Sequence, residues 1–161
     1  MVLSYYGSQK GLTDRQYKYI TNKITALSKD TIKEFRHCDT IGIEEIHELI
    51  LTEGLAESIV LYPPCNTEIR AFCAATNKVI IKEEMTISQG LRQMCVDTDV
   101  MIIAPSQTDT ENNGPYIAKE LAKKLNVKKI YTITYDGKIT QWPDEQLTNL
   151  RKKYINKIAK K

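Results

Sequence analysis

An α/β fold with a mostly parallel sheet and helices on both faces is predicted by three features of this sequence. Short β-rich runs alternate along the chain with helical stripes, the pattern of βαβ crossovers. The run Val100-Met101-Ile102-Ile103 carries no polar interruption, as suits a strand covered on both sides. Finally, 161 residues of which 42% are hydrophobic and 27% charged match ordinary globular usage. A chain of that size buries about 70% of its unfolded surface, so one domain spanning residues 1–161 is expected.

Strands are expected at residues 2–6, 31–36, 58–62, 78–81, 99–104 and 129–134. The last leads into Tyr135-Asp136-Gly137-Lys138, a hairpin-type turn, and a short final strand near Ile139. Tyr17, Ile20, Ile24 and Leu27 recur at helical spacing, with Thr13 or Asp14 as cap. Ile43, Ile46 and Ile50 mark a second helix, which Asp39 or Thr40 would cap. Residues 88–97 give a third, and Ile117, Leu121 and Leu125, with Ala118 and Ala122 permitting close approach, a fourth. A basic helix at about residues 143–160 presents Leu147, Leu150, Tyr154 and Ile158, with Pro143 in its first turn.

Charge narrows the partners. The formal net charge is +3, yet residues 143–161 hold six Lys or Arg against two acids, leaving the rest of the chain slightly acidic. Nucleic-acid binders concentrate basic residues along one face of the fold, so nucleic acid is not the expected partner. Cys38, Cys65, Cys73 and Cys95 form no C-x-x-C pair and have no His downstream at zinc-ligand spacing. Reduced thiols, no metal and no cofactor are therefore expected. No leader pattern opens the chain and no run of ~18 apolar residues interrupts it, so a cytoplasmic protein without a membrane partner is expected, in its own cell or in one a virus has entered.

In such folds ligands bind outside the carboxyl ends of the strands, so the loops there are the candidate site. The first, Tyr6-Gly7-Ser8-Gln9-Lys10-Gly11, offers glycine backbone, with Ser8 and Lys10 as phosphate donors. In Arg36-His37-Cys38-Asp39-Thr40-Ile41-Gly42, His37 and Asp39 are placed to hydrogen-bond a ribose or base. His47, on the apolar stripe of the next helix, reads as a satisfied core or rim histidine and not as a ligand. Tyr62-Pro63-Pro64-Cys65-Asn66 reads as rigid punctuation. Most telling is Ala104-Pro105-Ser106-Gln107 followed by Asn112-Asn113-Gly114-Pro115-Tyr116, where Gly114 and Pro115 open a helix whose free N–H groups suit an anion.

Together these pieces resemble the SLOG superfamily, the Rossmann-like group that contains the LOG phosphoribohydrolases and the DprA-like domains. The resemblance rests on four motifs across about residues 1–134. They are Leu3 to Thr13, similar to the family's strand and G-[ST]-x-x-G turn; residues 36–42, similar to its His-Gly-Asp-x-x-Gly loop; Tyr62-Pro63-Pro64; and the strand from Val96 to Pro105 with Asn113-Gly114. It implies a Rossmann-like domain that holds a nucleotide or nucleotide-derived molecule, as sensor or sequestering protein, in a homo-oligomer. The implied binding residues are Gly7, Ser8, Gln9, Lys10, His37, Asp39, Pro105, Asn113, Gly114 and Tyr116. The alternative is an N-glycosidic-bond hydrolase or transferase of phosphoribohydrolase or deoxyribosyltransferase type, with Asp39, Glu111 and Glu120 as catalytic candidates. Ile117 stands where the phosphoribohydrolase glutamate would follow Gly114, and Cys38 replaces a glycine of the second loop.

Overall fold

A computed structural model describes residues 1–160; Lys161, the last residue of the expected domain, lies outside the described residues. Its seven strands are β1 (Val2–Gly7), β2 (Ile32–His37), β3 (Ala56–Leu61), β4 (Val79–Ile81), β5 (Val100–Ala104), β6 (Lys129–Ile133) and β7 (Ile139–Trp142). The helices are α1 (Asp14–Ser28), α2 (Glu44–Glu53), α3 (Ile87–Cys95), α4 (Gly114–Lys124) and α5 (Glu145–Ala159). All seven strands join one sheet in the order β4-β3-β2-β1-β5-β6-β7, parallel throughout except for β7, which returns antiparallel along β6. The fold is thus Rossmann-like α/β, as the alternation of runs and stripes predicts.

Each face of the sheet carries its own apolar layer. On one, Leu3, Phe35, Ile59 and Ile102 pack against Ile20 and Ile24 of α1 and Ile46 and Ile50 of α2. On the other, Tyr6, Val60, Met101 and Ile103 pack against Leu91 and Met94 of α3 and Ala118 and Ala122 of α4. β5 lies between both layers, and all five of its residues are buried. This is why its sequence shows no alternation.

Caps and stripes depart from expectation in three places. Thr13 caps α1 by accepting the Gln16 N–H, but neither Asp39 nor Thr40 caps α2, whose cap position is Ile43. In α4 the buried face is Pro115, Ala118 and Ala122, while Ile117, one position and so about 100° round the helix from Ala118, is 48% exposed. α5 has no buried residue at all. Its stripe of Leu147, Leu150, Tyr154 and Ile158 stands in solvent, and Pro143 precedes the cap, Asp144, instead of entering the first turn.

Candidate functional site at the carboxyl rim of the sheet

After β1 the chain builds outward through β2, β3 and β4, then crosses back to place β5 on the other side of β1. The carboxyl ends of β1 and β5 therefore flank the point where strand order reverses, the position at which crevices form in open α/β sheets. Gly7 and Ala104 are register partners, so the two candidate phosphate loops start side by side. Ser8, buried, donates its N–H to the Ala104 carbonyl at 3.0 Å, and its Oγ accepts the Lys10 N–H at 3.3 Å. Lys10, itself exposed, reaches across with its ammonium to donate to Thr108 Oγ1, while Gln9 points to solvent.

Gln16, a buried residue that no motif marked, ties the base of this rim together. Its Nε2 donates to the carbonyls of Pro105 and Ile133, each at 2.8 Å, so the start of α1 is fixed to the ends of both β5 and β6.

In the loop from β5 to α4, the Ser106 N–H donates to Asp109 Oδ2 at 2.7 Å and the Thr110 N–H to Asn113 Oδ1 at 2.9 Å. Asn113 is thereby diverted from capping α4, whose first turn contains neither a side-chain cap nor an acid. Gly114 opens the helix at φ +43°, with Asp109 Oδ1 3.8 Å from where a Cβ would stand. Tyr116 meets Glu111 and Glu120, with Asn112 and Lys119, around a surface cavity of about 430 Å³. Burial holds the half-buried Lys119 amine below its ordinary range, and neighbouring Lys123 acts in the same direction; Glu120 is paired with Lys123 at 2.8 Å.

His37 and Asp39 face inward instead. His37 Nδ1 accepts the Asp39 N–H at 2.9 Å, its Nε2 lies 2.9 Å from His47 Nδ1, and His47 Nε2 lies 2.8 Å from the Ala74 carbonyl. The protons follow from the ends of this chain. A backbone N–H can only donate and a carbonyl can only accept, so Nε2–H of His37 donates to His47 and Nε2–H of His47 donates to Ala74. Both oxygens of Asp39 are likewise engaged, Oδ1 by the Cys73 N–H at 3.0 Å and Oδ2 by Arg70 Nε at 3.0 Å. These bonds latch residues 69–74 over the end of β2. Asp39 is 1% exposed, so in this arrangement neither its carboxylate nor the His37 ring is presented at the rim.

His37, His47 and Cys73 also place three potential ligand atoms within 4.8 Å of one another. A neutral histidine binds a metal through the nitrogen that lacks a proton, and its other nitrogen then donates outward. His37 has the opposite arrangement, because its Nδ1 is occupied by an incoming N–H and its Nε2 keeps the proton. The cluster fits a hydrogen-bonded latch, not a metal centre.

One consequence is a dependence of stability on pH. Burial, reinforced by His47, holds the His37 imidazole well below its ordinary value of 6.5, so the folded ring stays neutral while the unfolded one gains a proton. The unfolded state binds more protons below that pH, and stability is lost as the pH falls. Urea unfolding is expected to give about 1 kcal/mol less stability at pH ~5.5 than at pH ~7.5.

The four cysteines are free thiols; Cys38 and Cys95 are buried, and burial is the main cause that raises the thiols of Cys38, Cys73 and Cys95 above their ordinary range. Among the described residues, no helix is long and apolar enough to cross a membrane.

Fold and rim define the class of protein: a Rossmann-like α/β domain with paired loops at its strand-order reversal. Comparisons with protein-family models, curated proteins and solved structures find no match.

Proposed function

We propose that this rim binds the phosphate portion of a nucleotide or nucleotide-derived molecule, which the protein senses or sequesters. The observation that carries the reading is the uncapped first turn of α4 lying beside a loop whose one cation, Lys10, extends over to Thr108. Pro115 has no N–H and that of Tyr116 donates to the Asn113 carbonyl at 3.2 Å, so the N–H of exposed Gly114 is the one this turn offers. The positive end of a helix and an ammonium at the same rim favour an anion for the same reason. Asp109 is the opposing group. Its carboxylate already takes the Ser106 N–H and lies near Gly114, so a phosphate arriving there must displace it or share the space with it.

Thermal melting with ADP-ribose, NAD-derived cyclic nucleotides and ordinary mononucleotides tests the reading. A ligand at 100 times its Kd stabilises the folded state by about 2.7 kcal/mol, a clear rise in Tm. An unchanged Tm with every one of these molecules removes the proposal. Where one binds, Asp109→Asn is expected to tighten it about fivefold, roughly 1 kcal/mol, by removing a competing charge, and Lys10→Ala to weaken it by a similar factor.

Cleavage of an N-glycosidic bond is the second reading, favoured by the cavity in which Glu111 and Glu120 come together. Asp39 contributes nothing to it while both its oxygens are engaged. Release of free base from a nucleoside monophosphate, abolished by Glu111→Gln or Glu120→Gln, would establish it.

A further inference from the structure

Among the described residues, Tyr5 Oη is the buried side-chain polar atom that has no hydrogen-bond partner, and Tyr5 is only 1% exposed. Folded proteins pair nearly all such groups, because an unpaired one bears its full desolvation cost. A phenylalanine would fill the same space beside Phe35, whose ring centroid lies 6.5 Å away, without that cost.

The position of the hydroxyl accounts for its presence. Residues two apart on a strand share a face, so Tyr5 runs up the sheet toward Gly7. Its Oη lies 2.5 Å from where a Gly7 Cβ would stand, at the very end of β1 and beneath the first candidate loop. Burial and the charge of Glu45 both raise this phenol above its ordinary range, so it is a protonated donor. Gly42, which leads into α2, lies so close to the first loop that a Cβ there would stand 2.3 Å from the Ser8 carbonyl oxygen, so the first turn of α2 adjoins the loop above Tyr5. In that turn Glu44 uses its carboxylate on the Gly42 N–H at 2.7 Å, whereas exposed Glu45 makes no hydrogen bond or ion pair among the described residues.

We propose that Tyr5 Oη and the Glu45 carboxylate together receive a sugar hydroxyl of the guest held at the rim, an inference that rests on the nucleotide reading. A sugar hydroxyl can donate to Glu45 while accepting from Tyr5. A phosphate oxygen only accepts and is repelled by Glu45, so the pair selects the sugar end and leaves phosphate to Lys10 and the start of α4. Gly7 lies directly against the hydroxyl, so binding includes an outward shift of the loop that Gly7 begins.

Calorimetric titration of the full chain with ADP, 2′-deoxy-ADP and 3′-deoxy-ADP tests this, with the matching GDP and UDP series where ADP does not bind. The wild type is expected to bind one of the deoxy nucleotides at least tenfold more weakly than its parent. Tyr5→Phe is expected to bind the parent at least fivefold more weakly, to lose the discrimination, and to melt at the same or a higher temperature, because the free protein loses no bond. Glu45→Gln, on the exposed helix surface, should lose the same discrimination. Unchanged affinity and discrimination in Tyr5→Phe overturn the inference and leave the rim reading standing. A lowered Tm in Tyr5→Phe also overturns it, since the hydroxyl would then be satisfied inside the fold. Failure of the wild type to bind ADP, GDP or UDP overturns the rim reading at this class of ligand, and the sugar subsite with it.

Discussion

Replacing Arg70 with alanine is expected to cost about 3–5 kcal/mol of stability, the range found when one member of a buried ion pair is removed and its partner stays charged. Asp39 is 1% exposed and would keep only its bond from the Cys73 N–H. Arg70 does more than neutralise it. Its Nη1 binds Glu84 at 2.7 Å and its guanidinium lies 4.5 Å from the Phe72 ring centroid, so the latched segment loses its organising cation at once. Against a total stability of about 5–15 kcal/mol, such a loss moves the urea midpoint far. The double variant Asp39→Asn, Arg70→Met removes both charges and should recover much of the loss, which a double-mutant cycle would measure. A drop below about 1 kcal/mol for Arg70→Ala would show that water already reaches the Asp39 carboxylate.

This pair also marks the limit of what the sequence discloses. β5 was legible because being covered on both faces leaves an unbroken apolar run, and the β6–β7 hairpin because Asp136-Gly137 has the local chemistry of a turn. The shared rim of the Gly7 and Gly114 loops followed from strand and helix alternation alone. Asp39 and Arg70, by contrast, are 31 residues apart, and the bond between them exists only once residues 69–74 fold over β2. The His37–His47–Ala74 chain was hidden for the same reason: His47 could be assigned to the core by its stripe, but the stripe does not name its partners. Periodicity also shows that a helix has an apolar face without showing what covers it. In α5 nothing does among the described residues, and in α4 the face turned inward is that of Pro115, Ala118 and Ala122, which leaves Ile117 outside. Gln16 and Tyr5 escaped because buried polar roles leave no periodic signal.

Gly42→Ala should be the second most damaging change, and it probes the rim directly. A Cβ at Gly42 would lie 2.3 Å from the Ser8 carbonyl oxygen, a backbone atom that cannot swing aside, and the residue sits at φ +103°. Strain in a sparsely populated backbone region costs about 1–3 kcal/mol and forced overpacking about as much again, so a loss of about 2–6 kcal/mol is expected. Gly11→Ala separates the two causes. Gly11 also has positive φ, at +79°, but nothing lies within 4 Å of its would-be Cβ, so only the conformational cost of about 1 kcal/mol applies. The excess loss in Gly42→Ala then measures contact between the first and second loops. Because the alanine can be accommodated only by pushing Ser8 away, it also shifts Lys10 from Thr108. Any rim ligand should therefore bind Gly42→Ala at least tenfold more weakly, about 1.4 kcal/mol, under conditions where the variant is still folded. Equal stability of the Gly42 and Gly11 variants would mean that the two loops do not touch in solution, and the packed rim on which the binding proposal depends would have to be redrawn.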